Sequence, residues 1–270
     1  MTSPAIQPHN TRAAATWNAG GADYERISES IADSIDHCVA GLAPRPGERV
    51  LDVATGTGLA ARRAATRGAE VIGIDLGADL IESARKLADM QGLNIDFRVG
   101  DAEQLPFPDA HFDVVISTCG IMFASKPEVA AGELARVCRR GGRLGITTWA
   151  PDGTIAGMFA VMRPYMPQPS PSAPPSPFEW GREDRVRQLL GPAFDLTIET
   201  GTSVFRIQSG EAAWELFSSA YGPTKTLAAG LDPERREALR RDFIAYHERF
   251  RTDAGVAMPR EYLAIFGVRR

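Results

Sequence analysis

Residues 49–59, Arg-Val-Leu-Asp-Val-Ala-Thr-Gly-Thr-Gly-Leu, decide how the rest of the chain is organised. The apolar residues in the first half of this stretch predict a buried strand, and the alanine- and arginine-rich segment 60–67 predicts a helix after it. Gly56 and Gly58 permit positive φ angles and leave the backbone amides at the helix N-terminus open to a ligand. We therefore predict a strand, a ligand-binding glycine turn and a helix.

Two kinds of cofactor fit this turn. Residues 56–61 match the G-x-G-x-x-A form of the dinucleotide fingerprint. Asp52 lies near the carboxyl end of the strand, where a pyrophosphate would meet a like charge but an ammonium group would gain about 1 to 3 kcal/mol. S-adenosylmethionine carries such an ammonium group. Asp75 ends the next predicted strand and can accept both ribose hydroxyls of either cofactor.

Five short motifs follow one another between residues 50 and 149. They are residues 51–58, 73–75, 100–107, 112–115 and 141–143. In order and spacing, the set resembles the class I S-adenosylmethionine-dependent methyltransferases, and most of all the ubiquinone/menaquinone-biosynthesis-like branch (methyltransferase domain 11/25 type). Ala54 departs from the family pattern, because the family loop usually opens with glycine, and its methyl group narrows the choice of φ.

Strand and helix patterns alternate through the first half of the chain, which predicts an α/β fold with a Rossmann-like, doubly wound sheet and helices on both faces. The resemblance implies seven strands, mostly parallel, with an antiparallel last strand between the fifth and the sixth, and helical lid insertions. We predict a single methyltransferase domain over residues 1–270. Its parts are an N-terminal lid and helix (1–45), a cofactor-binding core (46–150), two substrate-pocket insertions (151–193 and 208–256) and the last two strands (194–207 and 258–269).

Several local expectations follow from the sequence outside the core. Residues 1–16 lack periodicity and are expected to be loose, whereas the apolar spacing over 27–42 predicts one continuous helix. Residues 164–177 contain seven prolines and predict an irregular surface loop or flap. Two helices are predicted after it, at 211–221 and from Asp232, which suits an N-cap.

The resemblance implies a set of cofactor-binding residues. They are Trp17, Tyr24, Asp52, Ala54, Thr55, Gly56, Gly58, Asp75, Leu76, Asp101, Ala102, Glu103 and Ser117. Asp101 would accept the adenine amino group, with a helix cap as its alternative role, and Ser117 would flank the methionine moiety. Trp17 and Tyr24 are candidate lid residues over the methionine end, with simple packing as the alternative.

Catalytic residues stay unassigned, because methyl transfer from a sulfonium mainly requires alignment of donor and acceptor and exclusion of water. His37 and Tyr24 are the candidate helpers, since both are predicted near the cofactor. The sequence has no H-x-x-x-H pair, no cysteine cluster with metal-ligand spacing and no G-x-S-x-G elbow, so no metal is predicted.

Composition limits the partners. A net charge of −4 provides no basic field for nucleic acid. Three cysteines without C-x-x-C spacing are typical of free thiols in a reducing compartment, so we expect the cytoplasm. No apolar stretch approaches the roughly 20 residues that span a bilayer, and the N-terminus lacks the pattern of a signal peptide, so we expect neither leader nor anchor.

The leading function is S-adenosylmethionine-dependent methyl transfer to a small molecule. The segments predicted around the acceptor supply Met, Phe, Trp and Tyr with few charges, which favours an apolar or aromatic acceptor. Two alternatives remain open at this point: a non-catalytic S-adenosylmethionine-binding protein and a nicotinamide-dependent dehydrogenase. The sequence leaves the oligomeric state, monomer or homodimer, open.

Overall fold

The computed structural model describes residues 6–168 and 174–270. The strands are β1 (Arg49–Val53), β2 (Glu70–Asp75), β3 (Asp96–Val99), β4 (Phe112–Thr118), β5 (Cys138–Trp149), β6 (Phe194–Ile207), β7 (Arg251–Thr252) and β8 (Gly255–Arg269). The α-helices are α1 (Thr11–Asn18), α2 (Glu25–Ser30), α3 (Ala32–Leu42), α4 (Leu59–Ala65), α5 (Ala78–Met90), α6 (Pro127–Val137), α7 (Thr154–Met162), α8 (Glu183–Leu190), α9 (Gly210–Ala220), α10 (Gly222–Ala229) and α11 (Pro233–Glu248).

One sheet organises the molecule, with the strand order β3-β2-β1-β4-β5-β8-β6. The first five strands pair in parallel, and β8 pairs antiparallel with both β5 and β6. The two-residue strand β7 pairs with β8, outside the main strand order. The predicted doubly wound α/β fold, with its antiparallel last strand between the fifth and the sixth, is confirmed.

The central strands are buried because helices cover both faces of the sheet, as parallel sheets require. On one face, side chains of α3, α4 and α5 enclose a core that includes Val39, Ala64 and Ile81. On the other face, α6 and the helices of the C-terminal half form a larger core around Leu134, Trp180 and others. The sheet therefore holds the loops at its carboxyl edge on a rigid support.

The N-terminal segment differs from the sequence expectation. Residues 1–5 lie outside the described part, but Pro8–Asn10 form a 3-10 turn and α1 follows at once, so the expectation of a loose segment is wrong for the residues after it. The single helix predicted over 27–42 is also wrong, because Ile31 has φ −118° and interrupts it between α2 and α3. Apolar spacing continues through this break, so the periodicity could not reveal it.

A helical cap, defined here as α7, α9, α10 and α11, packs on the sheet. α7 and α11 contact β8, α9 contacts β6, and α10 packs on α9. The helices predicted at 211–221 and from Asp232 are present, and Asp232 is confirmed as an N-cap because its Oδ1 accepts the Arg235 amide at 2.9 Å. α10 was not predicted. Residues 169–173 of the proline-rich stretch lie outside the described residues, so the irregular loop predicted there stays a prediction. No helix in the described ranges is long and apolar enough to cross a membrane.

Candidate active site

A cleft with about 960 Å³ of empty space, part of it open to solvent, lies at the carboxyl edge of the sheet. This is the edge at which open α/β sheets bind ligands. The walls follow the ends of the first four strands and are completed by the N-terminal helices. The wall segments lie within 54–60, 74–76, 100–103, 118–124 and 10–35.

The glycine turn between β1 and α4 forms one wall. Gly56 and Gly58 both have positive φ, and a Cβ atom at Gly58 would lie 2.6 Å from the Phe97 ring. Only glycine fits there without moving that buried ring. Ala54 also adopts a left-handed φ of 56°, a conformation that costs an alanine about 1 to 2 kcal/mol. The turn therefore keeps the shape that a glycine at this position would take.

Asp52 lies beneath this turn and is 1% exposed. Its Oδ2 accepts hydrogen bonds from the Thr55 hydroxyl at 2.6 Å and the Ala61 amide at 3.0 Å, whereas its Oδ1 has no partner among the described residues. Burial raises the pKa of Asp52 to about 7, helped by the nearby Asp75 charge and opposed by the two hydrogen bonds. An unpartnered buried acceptor is the kind of group that an ammonium ion satisfies.

Asp75 ends β2 and lines the cleft. Its Oδ2 accepts the Gly56 amide and its Oδ1 the Gly77 amide, both at 2.9 Å. Burial raises the pKa of this carboxyl, although the two backbone amides act in the opposite direction. Each carboxylate oxygen can accept a second hydrogen bond, so the residue can fix the glycine turn and still take a ligand hydroxyl.

Asp101 follows β3 and fixes the N-terminal segment. Its Oδ2 accepts the Gln7 amide at 3.0 Å and the Asn10 side-chain amide at 2.9 Å, and its Oδ1 accepts the Glu103 amide at 2.9 Å. The alternative role as a helix cap is wrong, because a turn and not a helix follows Asp101; the carboxylate instead holds this turn and residues more than 90 positions away in the sequence. An adenine amino group would have to share this carboxylate with Asn10, which also lines the cleft.

Glu103 provides a second attachment for the same segment. Its Oε2 accepts the His9 imidazole Nε2 at 2.6 Å, and its Oε1 accepts the Lys126 amide at 2.9 Å. Burial alone would raise the pKa of Glu103, but the His9 and Lys126 hydrogen bonds outweigh it and the pKa is lowered. The sequence did not predict that residues 7–10 attach to Asp101 and Glu103. Their three polar side chains show no periodicity, so they give no local signal.

Aromatic side chains form part of the cleft wall. The Trp17 ring lies 4.7 Å from Phe123 and 5.6 Å from Tyr221, and Tyr24 stacks on Tyr221 at 6.4 Å. Trp17, Tyr24 and Phe123 line the cleft, and the Tyr24 ring faces Gly56. Burial and the Asp75 charge raise the pKa of Tyr24, so this phenol stays neutral at physiological pH.

The structure brings most of the predicted cofactor residues to one surface. Those that line the cleft are Trp17, Tyr24, Ala54, Thr55, Gly56, Asp75, Leu76, Asp101, Ala102 and Glu103. Asp52, Gly58 and Ser117 lie behind its walls. Ser117 is fully buried, and its hydroxyl donates to the Val53 carbonyl at 2.8 Å and accepts the Ile121 amide at 3.0 Å. It therefore shapes the loop after β4 from beneath.

The described cleft contains no evident general base. His37, a candidate helper in the sequence, lies outside the cleft walls, and its imidazole contacts the Tyr262 hydroxyl at 2.9 Å and Glu199 at 3.0 Å. Tyr24 is neutral, and burial raises the pKa of the Cys119 thiol to about 12. The described residues also contain no cluster that could hold a metal ion. The described cleft residues therefore give no support for a side chain that accepts a proton from the acceptor.

Comparisons with known proteins agree with this geometry. The methyltransferase domain family matches residues 51–146. An uncharacterised protein of Mycobacterium tuberculosis is 40% identical over 213 residues, covering 78% of this chain and 77% of that protein. The demethylmenaquinone methyltransferase of Thermus thermophilus is 37% identical over 153 residues, covering 48% of this chain and 69% of the relative.

Solved structures share the fold at low identity. The YcgJ protein of Bacillus subtilis superposes with a TM-score of 0.62 at 19% identity, covering 88% of this chain and 98% of that one. Haemonchus contortus phosphoethanolamine N-methyltransferase 2, solved in complex with S-adenosyl-L-methionine, has a TM-score of 0.56 at 17% identity, covering 88% of this chain and 52% of that one.

The chain belongs to the class I S-adenosylmethionine-dependent methyltransferases, of the ubiquinone/menaquinone-biosynthesis-like type. It is a methyltransferase, and its cofactor is S-adenosylmethionine. The dehydrogenase and non-catalytic alternatives are therefore set aside. The residues present fit this cofactor, since Gly56, Asp75 and Asp101 line one cleft and Asp52 Oδ1, beneath the turn, is a buried acceptor without a partner among the described residues.

Proposed function

We propose that this methyltransferase acts on a small apolar or aromatic molecule. The observation that carries the proposal is the aromatic group Trp17, Tyr24 and Phe123 in the cleft lining, with the Tyr24 ring beside Gly56 of the glycine turn. Flat apolar surfaces of this kind favour apolar and aromatic ligands through area burial and ring-to-ring contact. A phosphorylated acceptor would find no cluster of cationic side chains among the cleft-lining residues.

The proposed roles of the cofactor-binding residues follow from their positions. Asp75 would accept the ribose hydroxyls and Asp101 the adenine amino group, while the Ala102 amide would lie beside the adenine ring. Asp52 would compensate the charge of the ammonium group from behind the cleft wall, where its Oδ1 has no partner among the described residues. Bound S-adenosylmethionine supplies an electrophilic methyl group on a sulfonium. The chain itself would bind, orient and exclude water, which can provide most of the rate enhancement for an aligned displacement.

We also propose that the protein acts in the cytoplasm. Support comes from its three free cysteines, of which Cys38 and Cys138 are buried. Free thiols that have not formed disulfides are typical of a reducing compartment.

The test is transfer of a labelled methyl group from S-adenosylmethionine to a panel of phenols, quinols, amines and carboxylates. We expect turnover to be confined to acceptors with an apolar or aromatic body. Trp17→Ala should raise KM for such acceptors, and Val129→Ala, at an exposed apolar position on α6, is the matched control. A preference for phosphorylated or highly polar acceptors would contradict the proposed acceptor class.

A further inference from the structure

Arg260 in β8 is a buried arginine that the proposed mechanism does not use. It is 2% exposed, and its guanidinium carbon lies 5.1 Å from the centre of the Phe205 ring and 5.8 Å from that of Trp149. These rings belong to the two strands that flank β8. The cation is thus held in an apolar setting at the carboxyl edge of the sheet, beneath the helical cap.

The partners of this guanidinium are all neutral. It donates to the Ser30 carbonyl, to the Ser30 hydroxyl at 3.2 Å and to the Ser203 hydroxyl at 3.0 Å, and its Nε has no partner among the described residues. It forms no ion pair with any carboxylate in the described ranges. Asp33, an exposed carboxylate, acts to raise the pKa of Arg260, but no hydrogen bond or ion pair joins the two side chains within the described residues.

A second buried arginine of this chain, in contrast, has its charge compensated by a carboxylate. Arg62 is also 2% exposed, but its guanidinium pairs with Glu25 at 2.5 Å. Burial without such a carboxylate lowers the pKa of Arg260 to about 10, so it remains charged at neutral pH. An uncompensated buried charge is costly, and proteins retain one mainly where a ligand or partner supplies the opposite charge.

Arg260 adjoins the wall of the cleft. Ser30, its hydrogen-bond partner, lies between Ser28 and Ile31, both of which line the cleft. Cys119 lines it too, and the Arg260 charge acts to lower the pKa of that thiol, although burial dominates. Arg260 itself does not line the cleft, so its charge would act on the cleft from behind Ser28, Ile31 and Cys119. The two aspartates proposed to bind the cofactor, Asp52 and Asp75, belong to β1 and β2, which lie on the opposite side of β4 from β8.

We infer that the methyl acceptor is an organic anion and that Arg260 is the residue that selects it. This inference rests on the proposed function and narrows its acceptor to an apolar or aromatic body with a carboxylate or an acidic phenol or enol. In the reaction, an acceptor oxygen lone pair forms the new O–C bond while the C–S bond breaks and its electron pair goes to sulfur. The anionic and sulfonium charges cancel and no proton moves, so no base is required.

The experiment compares anions with neutral molecules of the same shape. Protein saturated with S-adenosylhomocysteine is titrated by calorimetry and thermal shift with benzoate against benzamide, decanoate against decanamide, and 4-nitrophenol against 4-nitroanisole. The panel separates carboxylates from acidic phenols. The variants are Arg260→Met and Arg260→Lys. Ser203→Ala is the matched control, because it removes one neutral partner of Arg260 and keeps the charge. Replacing a buried charge by an apolar residue is often neutral or stabilising, so Arg260→Met should fold.

We expect at least one anion to bind about tenfold or more tightly than its neutral counterpart, since unit charges several ångströms apart near a protein surface attract by more than the roughly 1.4 kcal/mol of a tenfold change. Arg260→Met should abolish this preference, Arg260→Lys should retain part of it, and Ser203→Ala should leave it in place. Labelled methyl transfer to the bound anions should follow the same order. Equal binding of anions and neutral molecules, binding of neither, or an unchanged preference in Arg260→Met would each overturn the inference. Failure of wild-type protein to bind S-adenosylhomocysteine would instead refute the proposed function.

Discussion

The Asp52→Asn substitution provides the sharpest test of where the cofactor ammonium binds. Burial raises the pKa of Asp52 to about 7, so close to half of the free protein carries a proton on this carboxyl at that pH. Only the ionised carboxylate can pair with an ammonium group. Binding of S-adenosylhomocysteine, which carries the same amino group, should therefore release a proton from Asp52.

The size of the effect follows from the same pKa. At pH 7, binding should release about half a proton, and at about pH 6 roughly ten protonated molecules exist for each ionised one. Affinity should then be about tenfold weaker at pH 6 than at pH 8, or about 1.4 kcal/mol. Asp52→Asn should bind more weakly throughout and lose this pH dependence, because the amide does not titrate.

The free protein should show a linked effect on stability. The folded-state pKa of Asp52 lies above its ordinary value of 3.8, so its contribution to the free energy of unfolding is fully present below about pH 3.8 and is lost as pH rises towards 7. Asp52→Asn should remove this component.

The measurement is calorimetric titration with S-adenosylhomocysteine in two buffers of different ionisation enthalpy. The difference between wild type and variant isolates the proton that belongs to Asp52. Asp89→Asn, at an exposed position on α5, is the control for loss of one carboxylate. Equal proton release in wild type and Asp52→Asn would refute the assignment of the ammonium to this residue.

Three further predictions concern the site and the cap. Asp75→Ala should weaken S-adenosylhomocysteine binding by roughly 1.5 to 3 kcal/mol, because a charged acceptor is lost, and calorimetry showing wild-type affinity would contradict its ribose role. Bound S-adenosylhomocysteine should protect residues 6–30 from limited proteolysis, since a ligand stabilises the closed population; identical cleavage with and without it would mean that they are not a lid. Asp232→Ala should lower the free energy of unfolding by about 1 kcal/mol through loss of the α11 N-cap, measured by urea denaturation, and an unchanged midpoint would exclude a stabilising cap.

Local patterns predicted the sheet well. The apolar runs at β1, β2 and β4 and the glycines after β1 indicate buried strands and a turn on their own, because strand burial and positive φ are properties of a few neighbouring residues. The antiparallel placement of β8 came from the family resemblance. Asp75 was recognisable for a similar reason, since it stands at the carboxyl end of a predicted strand.

Other features depend on contacts between distant residues and left no local signal. The attachment of Gln7 and Asn10 to Asp101 spans more than 90 positions, and no periodicity marks it. His37 lies on the predicted helix, but its orientation towards Tyr262 is set by the packing of α3 against β8. The charge on Arg260 is visible in the sequence, whereas the lack of a carboxylate beside it is visible only in three dimensions.

The left-handed Ala54 constrains the order in which this loop can change during evolution. Its methyl group occupies the space beside Gly120, where a Cβ atom would lie 2.6 Å from the Ala54 Cβ. No side chain can therefore be acquired at position 120 while alanine stays at 54. Glycine at 120 had to be present before, or to arrive together with, alanine at 54. Restoring glycine at 54 would not by itself admit a side chain at 120, because the backbone carbonyl oxygen of residue 54 would still lie 2.9 Å from the new Cβ atom.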